Sequence, residues 1–482
     1  MNRNCFKVLL SAGLLLCSLA AGGRTTYTNP VIAHDCPDPT VLDDRARTGY
    51  FYVYSTQSVV PGSGSVNKDA SAGAGAKTVN LPIYRSRDLV DWEFVCDGFP
   101  DGRPAWVEGS KLWAPDINYV DGKYVLYYAL GVWAAIFKEG CGVAVSDSPT
   151  GPFVDKGEVV SWKGTGVANS IEANLFRDSD GRKYLYWGSL GPRSGIWVIP
   201  LSDDGFSAAP RREKKHLGAP NMEGAYVVKR GGWYYLVSAE GGTAGPPTSH
   251  MVVVARSKSA LGPWENSPHN PMVHTYSADE AWWSKGHGTL VDDAAGNWYI
   301  VYHAYRNGFH TLGRSTLIES VEWTEDGWPV LAEKDGAKWE KGGLQGDYAS
   351  LRDYANPLLW AKWQPGYAGG TLWTTTAVDA SYEITARFSI PEGSQAGLFL
   401  FYNEEAGIGL TGSDPAFAVR IRNERNVVSV WEQTAVGVWE PVMEDQDVSQ
   451  MHHNVYKGFF ALRPAYLLGA GAELLDFTYK PL

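Results

Sequence analysis

The sequence predicts an all-β protein, built as a five-bladed β-propeller followed by a β-sandwich. Two observations carry most of this prediction: an aromatic-rich strand pattern recurs five times, and a cleaner two-residue alternation replaces it near the C-terminus. The recurrences are about sixty residues apart, which is enough for one four-stranded sheet, and such sheets arranged around an axis form a propeller. The chain has 482 residues, 44% of them hydrophobic, and is long enough for both domains.

The N-terminal residues 1–22 have the composition of a secretory signal peptide. Arg3 and Lys7 form a basic region, a short apolar run follows, and small residues at 18–20 provide a cleavage site. We therefore expect a protein that is secreted, periplasmic or exposed at the cell surface. Cys17 would suit a lipid anchor, but the residue before it is not small, so an anchor is the less favoured alternative. No second long apolar run predicts a membrane span.

Two motifs alternate through residues 27–340, which we assign to the propeller. The first is a glycine followed by an aromatic strand, as in "DGKYVLYYAL" and "DGRKYLYWGS". The second is an apolar strand, usually with a turn after it, as in "GVAVSDSPTGPF". Each motif occurs five times, and their regular alternation favours five blades over an ordinary sandwich.

A polar residue precedes each aromatic strand at a similar distance. The five are Asp38, Asp116, Glu172, Glu223 and His287. Because the innermost strand of every blade begins near the propeller axis, equivalent positions in five blades should converge on one central pocket. Each residue alone also fits a structural explanation, such as a turn, a strand anchor, a solvated loop acid, a buried ion pair or a core histidine. Their recurrence in register favours a shared site. Asp116 is predicted to bind substrate, but structural support remains an equal alternative for it.

Converging carboxyl groups suit the hydrolysis of a glycosidic bond. One carboxyl donates a proton to the leaving oxygen, a second activates water or attacks directly, and a third can raise the pKa of the donor. Carboxylates can also bind calcium, but these acids are not grouped in one loop, so their spacing alone predicts no metal.

At these residues the chain resembles glycoside hydrolase family 43, from about Asn29 to Glu340. The segments that carry the resemblance are "NPVIAHDCPDPTV", "LWAPDI", "SIEANLFRDSDGRKYL", "NMEGAYVVKRGGWYYL", "KGHGTLVDDAAGNWYIVYH" and "GRSTLIESVEWTEDGWPV". The resemblance implies a five-bladed propeller that hydrolyses arabinan, xylan or related side chains with inversion. It further implies that Asp38 is the general base, that Glu223 is the general acid and that Arg314 lies near the sugar. No cofactor is required, although His287 matches a residue that helps to hold a calcium ion through water in some members.

Glu172 is the one departure from the family pattern, because most members have Asp at this position. A galactan-active branch also carries Glu here but lacks the Asp base, so the departure leaves the substrate in question rather than the chemistry. We expect Glu172 to stay ionised beside Arg314 and to raise the pKa of Glu223 by its charge. Of the tryptophans near the axial residues, Trp113 and Trp133 are our candidates for a sugar-stacking wall.

Residues 341–482 are assigned to an accessory β-sandwich. In "SYEITARFSI" apolar and polar residues alternate, as they do in a strand with one buried face. The domain is similar to lectin-like modules that follow propellers in exo-acting members of the family. It either binds sugar or braces the rim of the pocket, and we favour bracing.

The function predicted is that of a secreted inverting glycosidase, which removes α-L-arabinofuranosyl or β-D-xylosyl units from plant cell-wall polysaccharides. A net charge of −11 argues against nucleic acid as a partner. Three alternatives remain open: a galactan-active exo-glycosidase of the same fold, a non-catalytic glycan-binding propeller and a retaining furanosidase. The oligomeric state, the sugar, the linkage and the choice between endo and exo action do not follow from the sequence.

Overall fold

The computed structural model describes most of the chain from Tyr27 to Leu482. The residues it leaves undescribed are 1–26, 61–78, 105, 107–110, 132–136, 189–194, 218–221, 241–242, 244–249, 276–280, 294, 308–311, 333–359, 366, 376–380 and 452–461; at 361–365, 367 and 403 the backbone alone is described. The predicted signal peptide and the predicted domain boundary at 340/341 therefore lie outside the described residues. No helix among the described residues is long and apolar enough to cross a membrane.

Five four-stranded antiparallel sheets form the five predicted blades, with strands in sequence order inside each blade. The strands are, blade by blade, β1 Thr40–Asp43, β2 Phe51–Tyr54, β3 Pro82–Ser86 and β4 Glu93–Asp97; β5 Lys111–Val120, β6 Lys123–Gly131, β7 Gly140–Ser146 and β8 Val154–Ser161; β9 Ile171–Arg177, β10 Lys183–Gly188, β11 Trp197–Pro200 and β12 Lys215–His216; β13 Met222–Arg230, β14 Trp233–Glu240, β15 Met251–Ser257 and β16 Glu265–Asn266; β17 Trp282–Asp292, β18 Trp298–Arg306, β19 Arg314–Trp323 and β20 Pro329–Leu331. Two one-turn helices, α1 Arg45–Thr48 and α2 Trp162–Thr165, lie between strands.

The innermost strands close into a ring. Strands β1, β5, β9, β13 and β17 each contact the next, and β17 contacts β1. The segment before β1 strengthens this closure, because Ile32 forms a β-bridge with Thr316 of blade five. The side chain of Asn29 also exchanges hydrogen bonds with the backbone of Ile318. The first and last blades are thereby tied together.

Tyrosines of the aromatic motif explain why that motif recurs. The second strand of each blade carries a fully buried tyrosine, and four of these donate their hydroxyl hydrogen to a backbone carbonyl of the next blade: Tyr54 to Pro149, Tyr127 to Gly205, Tyr186 to Ala260 and Tyr235 to Gly327. Each ring fills its blade core while its hydroxyl satisfies a polar group across the blade boundary. The high tyrosine content therefore serves blade packing.

Two five-stranded sheets form the predicted C-terminal β-sandwich. One sheet has the order β21-β22-β29-β24-β25 and the other β28-β27-β26-β23-β30. The strands are β21 Ala361–Pro365, β22 Thr371–Thr374, β23 Ser381–Ser389, β24 Ala396–Asn403, β25 Ala406–Gly412, β26 Ala416–Glu424, β27 Val427–Gln433, β28 Trp439–Asp447, β29 Arg463–Leu468 and β30 Glu473–Pro481. In β23 the side chains of Tyr382, Ile384, Ala386 and Phe388 are buried, as the alternation predicted.

Candidate active site

A left-handed residue marks the inner strand or its approach in every blade. The positive φ angles are 52° at Asp38, 37° at Ala114, 58° at Glu172, 62° at Gly224 and 54° at His287. In blades two to five the pairing register shifts at or beside this residue, as at a β-bulge. A bulge redirects a side chain that would otherwise alternate with the strand. The repeated kink therefore aims side chains from separate blades into one pocket.

Asp38 lies just before β1, is buried, and has both carboxylate oxygens engaged. Arg314 Nη1 donates to Oδ1 at 2.8 Å, and the hydroxyl of Thr56 donates to Oδ2 at 2.5 Å. Thr56 is held in turn by the backbone N–H of Ala114, at 2.7 Å. The carboxylate is thus fixed by side chains from the first and last blades.

His303 on β18 fixes the backbone of Asp38. The amide N–H of Asp38 donates to Nδ1 of His303 at 3.0 Å, so that nitrogen carries no proton. The proton is therefore assigned to Nε2, which lies 3.2 Å from the hydroxyl of Thr243. Burial, and after it Arg314, lowers the pKa of His303 well below its usual value, in agreement with a neutral ring.

Glu172 reaches the axis from the start of β9. One of its oxygens accepts the backbone N–H of Gly224, and Nδ1 of His287 lies 3.7 Å from the same oxygen. His287 Nδ1 is also 3.8 Å from Asp38 Oδ1, and single ligand atoms of Asp38, Glu172 and His287 all lie within 4.8 Å of one another. The predicted convergence of these three residues is confirmed.

Glu223 begins the inner strand of blade four and is also buried. Nδ1 of His250 lies 4.0 Å from Glu223 Oε1. The His250 ring rests on the backbone of Gly286, where an added Cβ would come within 1.9 Å of it, and stacks on His303 at 5.5 Å between centroids. The ring of His287 also stacks on the ring of His303, with 6.1 Å between the two centroids.

The electrostatics of the pocket separate the two proposed catalytic carboxyls. Burial raises the pKa of Asp38, but the effects of Arg314, and after it of His303 and His287, together outweigh burial, and the pKa is held well below its ordinary value. Burial, followed by the charge of Asp38, raises the pKa of Glu223 to about 8. At neutral pH these shifts favour an ionised Asp38 and a protonated Glu223, which suit two different proton transfers.

The chain also matches a known protein family. The family model for glycosyl hydrolases family 43 matches residues 27–329, which is more than half of the chain.

The chain belongs to glycosyl hydrolases family 43.

Two curated members of family 43 show the extent of the match. The chain is 29% identical over 351 residues to the non-reducing end alpha-L-arabinofuranosidase BoGH43B of Bacteroides ovatus, covering 70% of this chain and 59% of that protein. It is 30% identical over 362 residues to a putative beta-xylosidase of Escherichia coli K12, covering 69% of this chain and 61% of that protein. The chain thus spans about three fifths of these relatives.

A solved family 43 structure shares the whole architecture. The BlXynB protein of Bacillus licheniformis superimposes with a TM-score of 0.68 at 20% identity, and the match covers 95% of this chain and all of that one. Because the identity is low, this likeness supports the fold alone. It supports the prediction of a propeller followed by a β-sandwich.

The environment of Glu172 differs from our expectation for the third acid of the family 43 site. Burial, followed by the charges of Glu223 and Asp38, raises the pKa of Glu172 well above its ordinary value, and Arg314 only opposes this. The charge that raises the pKa of Glu223 is that of Asp38. This environment disfavours the expectation that Glu172 stays ionised and acts on Glu223, and that expectation stays a prediction. An ionised Glu172 would be a third buried charge beside those of Asp38 and Arg314. Because Arg314 already pairs with Asp38, its attraction does not offset the free-energy cost of burying that charge.

Glu172→Gln should leave the upper limb of the pH–rate profile in place. If Asp38 is the base and Glu223 the acid, activity needs Asp38 ionised, above its lowered pKa, and Glu223 protonated, below about pH 8. A glutamine is neutral at every pH and can still accept the Gly224 N–H, whereas Glu172→Asp withdraws the oxygen by one methylene. We expect the aspartate variant to lose more kcat than the glutamine variant. A clear downward shift of the upper limb in Glu172→Gln would show that Glu172 is ionised after all.

Asp116 lies one layer deeper than the other axial residues. It is two residues beyond Ala114, the left-handed residue of its blade, and it lines a small axial cavity with Glu172, Tyr226 and Thr289. Its oxygens accept hydrogen bonds from the Asn174 and Asn118 amides and from the Leu175 backbone, at 2.7–2.8 Å. These contacts join blade two to blade three and favour the structural alternative for Asp116 over the predicted contact with substrate.

Asp116→Ala should destabilise the propeller and leave substrate binding intact. Removing the carboxylate orphans buried donors on Asn174 and Leu175, and each orphaned donor costs roughly 1–3 kcal/mol. We expect a lower unfolding midpoint in urea, with KM within about twofold of the wild type if Asp116 does not touch sugar. Asp116→Asn retains one acceptor oxygen, so its unfolding midpoint should lie between those of the wild type and Asp116→Ala. A large rise in KM without loss of stability would restore Asp116 as a binding residue.

The two tryptophans predicted to form a pocket wall have different outcomes. Trp113 is half-buried on β5, and its ring lies flat against Gly131, where an added Cβ would come within 2.1 Å. It packs on the apolar core shared by blades two and three. Trp133 lies outside the described residues. Stacking of sugar on either ring stays a prediction.

The residues around His287 do not fit a directly bound calcium ion. Asp38 already accepts hydrogen bonds from Arg314 and Thr56, and Glu172 accepts one from Gly224. The guanidinium of Arg314 would also repel a cation placed between these carboxylates. The water-mediated calcium that the resemblance implies for His287 stays a prediction.

Sequence reasoning missed four residues that shape the site: Asp35, Thr56, His250 and His303. His303 stands inside the fifth aromatic motif, "WYIVYHA", and is the histidine of that motif, so a search for polar residues within the strands would have found it. Thr56 is the last residue of the first aromatic motif, "TGYFYVYST", so the same search would have found it. Asp35 and His250 carry no comparable signal, because only the closed ring brings them near Arg314 and Glu223.

Proposed function

We propose that this family 43 protein is an inverting glycoside hydrolase that removes terminal α-L-arabinofuranosyl or β-D-xylosyl units from plant cell-wall polysaccharides. The observation that carries the proposal is the opposite perturbation of two buried carboxyls at the propeller axis. The pKa of Asp38 is held well below its ordinary value, and that of Glu223 is raised to about 8. A general base and a general acid of a glycosidase need this division of protons.

In the proposed mechanism Asp38 is the base. Its carboxylate, oriented by Arg314 and Thr56, accepts a proton from a water molecule as that water attacks the anomeric carbon. Glu223 donates its proton to the departing glycosidic oxygen. Because water attacks from the face opposite the leaving group, the product has the inverted configuration. Arg314 also neutralises the charge of Asp38 and thereby keeps the base ionised in a buried site.

Glu172 then acts as a neutral, hydrogen-bonded wall of the sugar site. Its carboxyl is held by the N–H of Gly224, the residue that follows Glu223, so it fixes the start of strand β13, which carries the acid. With a proton it can also donate a hydrogen bond to a sugar hydroxyl. The longer side chain at this position is the reason to test galactosides beside arabinosides and xylosides.

A panel of nitrophenyl glycosides tests the function. We expect turnover of the α-L-arabinofuranoside or the β-D-xyloside that exceeds turnover of the β-D-galactoside. Preference for the galactoside would support the galactan-active alternative. Binding of oligosaccharides without turnover of any glycoside, natural or activated, would support a non-catalytic glycan-binding propeller and would defeat the proposal.

Secretion and the absence of a required metal complete the proposal. The signal-like residues 1–22 support export to a compartment where plant polysaccharide is met. The proposed chemistry uses carboxyl groups alone, so a chelator should not lower kcat. A calcium ion held through water near His287 would act on stability instead.

A further inference from the structure

The backbone N–H of the proposed base has its hydrogen-bond partner in a neighbouring blade. Asp38 is buried with a φ of +52°, and the ladder that β1 forms with β2 begins only at Thr40. A buried N–H outside a ladder needs an acceptor from elsewhere in the fold. Nδ1 of His303 on β18 is that acceptor, at 3.0 Å. The place of Asp38 on the axis therefore depends on an imidazole of blade five.

The other nitrogen of the same imidazole contacts the blade that carries the proposed acid. Nε2 of His303 lies 3.2 Å from the hydroxyl of Thr243. Thr243 follows β14, which pairs with β13, and Glu223 lies at the start of β13. In a glycosidase the separation of the two carboxyl groups decides whether a water molecule fits between the base and the sugar. A ring that contacts both sides of the site is placed to fix that separation.

Two further histidines pack against the buried ring of His303. His250 lies nearly parallel to it, with 5.5 Å between the centroids and 10° between the planes, and His287 lies at 6.1 Å and 25°. Gly286, which faces His303 across the β17–β18 ladder, leaves room for this packing, because a Cβ there would come within 1.9 Å of the His250 ring. The neighbouring rings thus hold the imidazole in place together with its hydrogen bonds.

We propose that His303 is a positioning residue, which places the proposed base Asp38 relative to the blade that carries the proposed acid Glu223. The imidazole accepts the Asp38 N–H on Nδ1 and contacts Thr243 of blade four through Nε2. In this scheme His303 contacts neither the attacking water nor the sugar, and it acts through Asp38. The inference rests on the proposed function, because it assigns a catalytic consequence to the position of Asp38.

Replacing His303 with phenylalanine removes the acceptor and keeps an aromatic ring between the neighbouring histidines. We expect kcat to fall roughly 10- to 100-fold, because misplacement of a catalytic group by about 1 Å can cost about 10²-fold. KM should change by less than about twofold, since displacement of the base affects the transition state more than binding. Both constants are measured on the nitrophenyl glycoside that the wild type turns over fastest, and thermal unfolding measures the folded fraction. Wild-type kcat in folded His303→Phe would overturn the proposal, whatever the change in melting temperature.

Two amide variants separate the contact with Asp38 from the contact with Thr243. The side-chain oxygen of His303→Asn can occupy about the position of Nδ1, whereas the longer side chain of His303→Gln reaches about the position of Nε2. We expect the asparagine variant to keep kcat within about threefold of the wild type and the glutamine variant to resemble His303→Phe. A glutamine variant at least as active as the asparagine variant would overturn the proposal. This comparison also decides the matter if the phenylalanine variant does not fold.

The matched control makes the same substitution on an outer strand. His216 lies on β12, the last strand of blade three, with its ring 4.8 Å from that of Trp197. His216→Phe keeps this aromatic contact and should match the wild type in kcat and KM. A comparable loss of kcat in His216→Phe would mean that the effect at His303 is not specific to the site and would overturn the assignment.

Failure of the proposed function would look different. A wild type that hydrolyses no glycoside defeats the function, and NMR of the protein with isotope-labelled histidine then tests the contacts of His303. The signal that disappears in His303→Phe should belong to a neutral ring with its proton on Nε2 and none on Nδ1. Nδ1 lies 3.2 Å from Asp38 Oδ1, so a proton on Nδ1 would mean that His303 binds the carboxylate instead, and it would overturn the backbone contact.

Discussion

Replacing Asp38 with asparagine is expected to lower kcat roughly 10²–10⁴-fold, the range typical for loss of a positioned general base. The amide keeps the size of the side chain and can still accept a hydrogen bond from Arg314, but it cannot take a proton from water. Initial rates on the best nitrophenyl glycoside measure the effect. Asp43→Asn, on the exposed end of β1 beside Arg45, is the matched control and should retain full activity.

The stereochemistry of the product provides a second test of the role of Asp38. Freshly released sugar, followed by proton NMR before it mutarotates, should show the inverted anomer. Near-normal turnover of Asp38→Asn would remove Asp38 from the chemistry. Retained configuration would make Asp38 a nucleophile, as in the retaining furanosidase alternative.

Glu223→Gln should almost abolish hydrolysis of a natural glycoside but spare substrates whose leaving group needs no proton. We expect a loss of roughly 10²–10⁴-fold on an oligosaccharide and a much smaller loss on a dinitrophenyl glycoside. The fall in rate above about pH 8, which reports the Glu223 proton, should also disappear on the activated substrate. Both expected results, the dependence on the leaving group and the fall in rate above about pH 8, follow from the raised pKa of the buried Glu223 carboxyl.

The control for Glu223 lies in the same blade. Glu265, on the outer strand β16, pairs with Arg256 and is distant from the axis in the order of the sheet. Glu265→Gln should behave as the wild type on both substrates. Equal losses of Glu223→Gln on natural and activated glycosides would mean that another group donates the proton.

Much of the fold could be predicted because its determinants are local. A glycine turn followed by an aromatic strand predicts half of one blade. The number of times this pattern is repeated predicts the number of blades. The grouping of Asp38, Glu172 and His287 followed from the same repetition, since equivalent positions in a closed ring share one axis. Their ligand atoms lie within 4.8 Å of one another despite their separation in sequence.

The site was less predictable where depth along the strand matters. Asp116 stands in the repeat with the other axial residues, yet the left-handed residue of its blade is Ala114, and Asp116 consequently lies one layer below them. A bulge moves a side chain by one position without leaving a mark in a hydrophobic pattern. The raised pKa of Glu172 could not be predicted from the sequence for a related reason: burial is its largest cause, and Arg314 is already bound to Asp38, which only the folded geometry reveals.

The sequence by itself determined the blade number, the two-domain order and the residue types that meet at the axis. Strand periodicity and turn chemistry act over a few residues, so they can be recognised without knowledge of what packs against them. Tertiary structure alone decided which carboxyl keeps its charge, since burial and the distances to Arg314 arise only when the ring closes. It also decided that Asp35, His250 and His303 surround the site, because contacts across blades leave no periodic trace in the chain.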